Sequence, residues 1–269
     1  MRSLILCIAL VSVAHAETIS HDQSPYQLDP SIDVPIFLGG APLWILPYEI
    51  ASPTAAPPEC GNPTPCDAGK LNALDRLTVG WHDTDARLVA NLTLLTPAAF
   101  FLFMNVIDVG VTNWRSYLTD ATVMLESLVL DGILDEIVRR AVRRPRPYLY
   151  QAGVYPEERN LAEATFSFYS GHTSGMFNMM SGLSYTWTLR HPDSRYRYLV
   201  WTALLAMATI EPIARVISGD HFPTDCIVGA LIGTSLGVLI PALHRRKSQV
   251  MIAPAMESNG ASLRLIGQF

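Results

Sequence analysis

The stretch Arg215-Val-Ile-Ser-Gly-Asp-His-Phe-Pro-Thr-Asp225 separates two apolar runs, and its reading decides the fold. It predicts a tight connection between two long helices. Pro223 suits the first turn of the second helix, where its missing N–H is not needed. Asp225 then falls about one helical turn past His221, so its carboxylate can reach back to one imidazole nitrogen. A carboxylate in that position fixes the tautomer and leaves the other nitrogen with an outward lone pair. Arg215 adds a permanent cation at the end of the preceding helix. A basic nitrogen, its orienting acid and a guanidinium suit attack on a phosphorus centre. On this stretch alone a simple helix cap accounts for His221 and Asp225 equally well.

Working outward, the sequence predicts an all-α bundle of about five long helices, membrane-embedded, with its site at one end. The helical segments are 89–111 (kinked at Thr96-Pro97), 117–138, 173–189, 198–217 and 226–243, the last free of charged residues. Glu211-Pro212 predicts a kink in the fourth segment and an interior carboxylate paired with an arginine. The second segment objects to a membrane, because it holds Asp120, Glu126, Asp131, Asp135 and Glu136. Charges at bilayer depth cost roughly 2.5–3.5 kcal/mol each on insertion scales. Either these acids face the bundle interior or the domain is soluble.

Composition favours the membrane. The chain is 49% hydrophobic and 16% charged, against about a quarter charged in soluble domains. Its net charge of -5 argues against a nucleic-acid partner. The N-terminus reads as an export signal over 1–16: Arg2, an apolar core from Leu4 to Val13, and Ala14-His15-Ala16 for cleavage. An uncleaved anchor is the second choice. An exported region over 17–88 follows, with residues 32–50 expected as a broken, surface-lying segment because of Pro35, Pro42 and Pro47. Cys60 and Cys66 flank a Pro-rich loop and predict a disulfide. The helical domain spans 89–247 and a tail spans 248–269.

Loop charges orient the segments. Arg115, the loop Arg190–Arg197 and the tail His244–Lys247 fall on one side if every segment crosses, as a cytoplasmic side requires. The cysteine loop, residues 139–172 and the 215–225 connection fall on the other. The expected location is therefore a bacterial-type inner membrane with the site facing the periplasm, or else a soluble periplasmic form.

Three stretches share that outer side. Arg139-Arg-Ala-Val-Arg-Arg-Pro-Arg146-Pro147 ends the second segment, and its cations either bind an anion or complement a helix end. Ser170-Gly171-His172 opens the third, where backbone N–H groups cradle an anion or merely start a helix. With Arg215-x5-His221-x3-Asp225, the set resembles the tripartite signature of the type 2 phosphatidic acid phosphatase and vanadium haloperoxidase superfamily. The resemblance covers roughly residues 90–243. It departs from the family pattern at Arg139 (family lysine), Tyr169 (proline) and Ala214 (serine).

The resemblance implies a phosphatase acting on a phosphomonoester or diphosphate of a lipid, in which His221 attacks phosphorus and forms a phosphohistidine. Asp225 would orient His221, and His172 would protonate the leaving oxygen and later activate water. Arg139, Arg146, Arg215, Ser170 and Gly171 would hold the phosphate oxygens. Phosphoryl transfer is largely positioning and charge neutralisation, so three arginines imply no metal and no cofactor. The alternatives are a soluble periplasmic acid phosphatase, a vanadate-dependent haloperoxidase and a non-catalytic lipid-binding scaffold. The remaining histidines, His244 among them, are expected to lack partners.

Overall fold

The structure, a computed structural model, describes residues 23–51, 60, 64–108, 113–152, 162–246, 250–257 and 260–267. The export signal lies outside the described residues. The chain forms α1 (Pro30–Pro35), a π turn (Ile36–Gly40), α2 (Ala41–Ala51), α3 (Ala73–Arg76), α4 (Thr84–Thr93) and α5 (Thr96–Asp108). The bundle continues with α6 (Trp114–Val142), α7 (Gly171–Arg190), α8 (Arg197–Ala208), α9 (Ile210–Ile217) and α10 (Pro223–Leu243).

The helix boundaries have local causes. A proline clashes with the carbonyl four residues before it. Accordingly α4 stops at Thr93, ahead of Pro97, and α8 stops at Ala208, ahead of Pro212. At both expected kinks the hydrogen-bond ladder lapses for only one or two residues, and Leu94 and Thr209 keep right-handed helical dihedrals. Asn113 caps α6 through a hydrogen bond from Ser116 N (3.3 Å), and Arg143 ends it in the left-handed region (φ 51°) before Pro145. Pro223 occupies the first turn of α10, as the sequence predicts.

Helices α7 and α10 run parallel at very short range. A Cβ on Gly229, Gly233 or Gly237 would sit 2.6, 2.0 and 2.1 Å from the carbonyl oxygens of Ser170, Ser174 and Asn178. The glycine stripe is therefore what lets the two backbones touch. Gly233→Ala is expected to push the helices apart and cost about 1–3 kcal/mol, read as a lowered midpoint of thermal unfolding in detergent. An unchanged midpoint would mean that the contact is looser than described.

Helix α6 lies antiparallel to α7, and its acids turn inward. Asp120, Glu126, Asp131, Asp135 and Glu136 are all buried. Asp120 pairs with Arg190, Asp131 accepts from Ser174 Oγ (2.5 Å), and Glu136 pairs with Arg139 and Arg140. Ser127 Oγ donates to Asn178 Oδ1 (3.0 Å) between them. That answers the objection raised by the second segment. Outward-facing Ile227, Leu231, Leu239 and Leu199 remain exposed, which suits lipid and not water. Among the described residues three stretches, Thr84–Met104, Arg197–Ile217 and Pro223–Leu243, are long and apolar enough to cross a membrane. The bundle is a membrane-embedded one.

All five expected segments alternate between two ends. Arg87, Arg146, Arg215 and Asp220 meet at one end. Arg115, the 190–197 loop and Arg245 fall at the other.

Three expectations change. Residues 30–51 are not a broken surface segment, because a π turn after Pro35 and the placement of Pro42 in the first turn of α2 keep the path helical. That path climbs α6: Asp33 is beside Glu126 and His244, Gly40 packs on Val129 and Ile133, and Trp44 packs on Gly132. Residues 23–29 therefore lie at the end away from the cysteine loop, not with it, and Gln27 N donates to the His244 carbonyl (2.8 Å). Two histidines expected to lack partners have them: His191 stacks on Trp187 (4.5 Å) and His244 meets two carboxylates. Finally, the tail contains an antiparallel hairpin, β1 (Val250–Glu257) with β2 (Gly260–Gly267), Val250 facing Gly267.

Candidate active site

A cavity of about 620 Å³ opens where α6 ends and α7 begins. Arg139, Arg146, Gly171, His172 and His221 all line it, so five of the eight expected site residues converge across some eighty positions of sequence. The disulfide Cys60–Cys66 lies at the same end, where Cys66 N donates to the Leu149 carbonyl (2.9 Å).

His221 is held by a backbone oxygen. Its Nδ1 lies 2.7 Å from the carbonyl of Ser167. A carbonyl only accepts, so Nδ1 carries the proton and Nε2 keeps its lone pair. Burial, then the nearby Arg146, hold this imidazole well below its ordinary pKa, despite the opposing pull of Asp220. The neutral form, the nucleophilic one, is thereby favoured. Because the folded-state value is depressed, the unfolded chain takes up this proton first, and stability falls as pH drops below about 6.5. In nitrogen-15 histidine spectra the His221 signal, identified by its loss in His221→Gln, is expected to stay neutral at pH 6. Titration near 6.5 would contradict the buried, neutral assignment.

Asp225 corrects the expectation. Its carboxylate touches no imidazole nitrogen among the described contacts. Instead it pairs with Arg144 and accepts from Ser167 Oγ (2.5 Å) and Phe222 N (2.9 Å). The side chain that caps α10 thus fixes Ser167, whose carbonyl fixes His221, and Asp225 orients the imidazole at one remove. Arg144 also bonds Asp75 (2.7 Å), which accepts from Thr224 N (3.1 Å). Burial works against ionising Asp75, but Arg144 and Thr224 outweigh it and hold its carboxyl below the usual range.

Ser170 and Arg215 stand behind the cavity and not on its wall. Ser170 is fully buried as the N-cap of α7 and is bonded to Thr173 Oγ1 (2.9 Å). Arg215 donates to Glu211 Oε1 (3.0 Å), Asn91 Oδ1 (2.8 Å) and Asp220 Oδ2 (3.3 Å). The arginine partner expected for Glu211 is therefore Arg215. Gly171 has a packing reason to be glycine, because a Cβ there would meet Asp135 Oδ2 at 2.4 Å. On the cavity wall Arg139 also lies 3.8 Å from Asp135.

Asp220 is the residue that sequence reasoning missed. Its carboxylate gathers Arg87 (3.0 Å), Arg146 (3.5 Å) and Arg215 (3.3 Å), with Ser218 Oγ at 2.9 Å. Burial opposes the charge, yet Arg146 and Arg87 prevail and keep the carboxyl below its ordinary range. The result is a guanidinium cluster tethered by one acid directly before His221, ready for an anion bearing several oxygens.

The helical bundle thus carries two histidines and a tethered arginine cluster at one end, a cationic setting that suits an anion. Residues 120–249 match the PAP2 superfamily. Among its relatives, the lipid A 1-phosphatase of Rhizobium etli is 28% identical over 125 residues, 46% of this chain and 50% of that one. The chain thus spans about half of that relative's length. Phosphatidylglycerophosphatase B of Bacillus subtilis is 25% identical over 161 residues, covering 59% of this chain and 75% of that one. Among solved structures, the transmembrane PAP2-type phosphatidylglycerolphosphate phosphatase of Bacillus subtilis aligns over 78% of this chain and 94% of its own, with 22% identity and a TM-score of 0.44. Aquifex aeolicus LpxE aligns over 62% and 92%, with 20% identity and a TM-score of 0.41.

Proposed function

We propose that the chain is a metal-independent phosphatase that hydrolyses a phosphomonoester or diphosphate carried by a lipid, through a phosphohistidine on His221. The observation that carries this reading is one cavity whose lining combines a cationic, histidine-bearing set of residues with an apolar set. Trp44, Ile45, Leu94, Pro97, Leu125 and Leu128 line the same cavity as Arg139, Arg146, His172 and His221. A soluble phosphate ester has no use for the first set, and a hydrocarbon chain has none for the second. The two curated relatives, both named as phosphatases, support the same reaction class.

In the first step His221 Nε2 donates its lone pair to phosphorus and the ester P–O bond breaks. His172 gives the leaving oxygen a proton. In the second, His172 takes a proton from water, the water oxygen attacks phosphorus, and the P–N bond breaks to release inorganic phosphate. Arg139 and Arg146 neutralise the non-bridging oxygens throughout, while Asp220 holds Arg146 against Arg87 and Arg215. The test is phosphate release, without metal, from phosphatidate, lysophosphatidate, a polyprenyl diphosphate and p-nitrophenyl phosphate side by side. A clear preference for the lipid substrates is expected, and equal turnover of the soluble ester would remove the lipid from the proposal.

The site is proposed to face the periplasm. The 190–197 loop and Arg245-Arg246 are basic at the opposite end, although arginines also gather around the site itself, and a disulfide at the site end suits an oxidising compartment. In intact cells, Asp85→Cys at the exposed start of α4 is expected to react with a membrane-impermeant thiol reagent, and Asp193→Cys in the far loop is not. The reverse pattern would invert the topology.

A further inference from the structure

Far from the phosphate cavity, three buried or half-buried groups from three distant parts of the chain meet. His244, just past the end of α10, places Nε2 at 3.1 Å from Asp33 Oδ1 and 3.2 Å from Glu126 Oε2. Asp33 and Glu126 are buried, and the three ligand atoms lie within 4.8 Å of one another. The hydrogen-bond partners around them point those atoms at a common centre. His244 Nδ1 lies 2.9 Å from the Ile240 carbonyl, so it carries the proton of the neutral ring and leaves Nε2 bare. Asp33 Oδ2 accepts from Asp29 N (2.8 Å), which leaves Oδ1 for the centre. Glu126 Oε2 is fully buried and accepts no hydrogen bond, although Glu126 is 1% exposed overall.

With the His244 ring neutral, three lone pairs converge with no proton between them, and two of them belong to carboxylates in a dry interior. An uncompensated arrangement of that kind is costly. A cation resolves it. We propose that Asp33, Glu126 and His244 bind a divalent first-row transition metal of the Zn²⁺ class. Ligand bonds of about 2.0–2.2 Å around a tetrahedral ion put neighbouring ligand atoms about 3.3 Å apart, close to both observed separations. One nitrogen and two oxygens suit that class of ion, and the Ile240 carbonyl supplies the usual outer partner that fixes a metal-binding imidazole.

The ion would be structural. It would clip α1 to the middle of α6 and to the end of α10, closing the bundle at the end opposite the phosphate cavity. It has no part in phosphoryl transfer and is independent of the proposed function. The competing arrangement is an imidazolium shared between the two carboxylates, with no metal.

The test uses the full chain purified in detergent, stripped with chelator and titrated with Zn²⁺ against a chromophoric competitor. One Zn²⁺ per chain is expected, with affinity at least about tenfold weaker in Glu126→Gln and His244→Asn, both near in shape to the originals. Co²⁺ in place of Zn²⁺ should give the visible absorption of a four- or five-coordinate site in the wild type and not in Glu126→Gln. Zn²⁺ should also raise the unfolding midpoint of the wild type alone. Equal Zn²⁺ affinity in all three proteins, or none in the wild type, would overturn the proposal in favour of the shared proton.

Discussion

Replacing His221 with alanine is expected to cut phosphate release at least about a hundredfold, and replacing His172 should cost as much. In the proposed mechanism the two act on the same phosphoryl group, one on phosphorus and one on the leaving oxygen, so the double variant should lose little more than either single one. His172 stands on the cavity wall at the first turn of α7, and removing it takes away no capping bond. Its loss should therefore leave the unfolding midpoint nearly unchanged while turnover collapses. Persistent phosphate release from His221→Ala in the presence of EDTA would refute the assignment of the nucleophile.

Removing the carboxylate of Asp225 is the second large effect, and it separates two roles. Asp225→Ala leaves Ser167 Oγ and Phe222 N without their acceptor and strips Arg144 of one of its two carboxylates. Breaking a buried ion pair from one side costs about 3–5 kcal/mol, so thermal unfolding in detergent should move down sharply and activity should fall with it. Asp225→Asn keeps the shape and one acceptor oxygen and should recover part of both. If activity vanished while the unfolding midpoint stayed put, Asp225 would be acting on the imidazole directly, and the relay through the Ser167 carbonyl would be wrong.

Much of the fold was legible because its punctuation is local. Pro97, Pro212 and Pro223 mark a kink, a kink and a start by the same covalent fact, the missing N–H and the bulk of the ring. The alternation of basic loops with the site-bearing connections ordered the helices before any contact was known. The cavity's cationic wall was readable too, because Arg139, Arg146, His172 and His221 each sit at a helix end, where sequence position sets direction.

What stayed hidden depends on partners far away in sequence. Asp220 reads as a turn residue after Gly219, and nothing nearby announces that Arg87 will reach it. Asp225 was expected on His221 because one turn of helix separates them, but its capping bond to Phe222 N turns the carboxylate towards Arg144 and Ser167. The prolines in 30–51 suggested a broken path, yet a π turn absorbs them. His244 looked like an ordinary residue of a basic tail until α1 brought Asp33 beside it. The hairpin at 250–267 did leave a signal, Asn259-Gly260 between two runs with alternating apolar residues.

The stereochemical course at phosphorus tests the central claim most directly. With a lipid phosphate ester made chiral by oxygen isotopes and sulfur, hydrolysis through a phosphohistidine is two successive in-line displacements. Net retention of configuration is the expected result. Net inversion would mean that water attacks the substrate directly, and that no bond between His221 and phosphorus is ever formed.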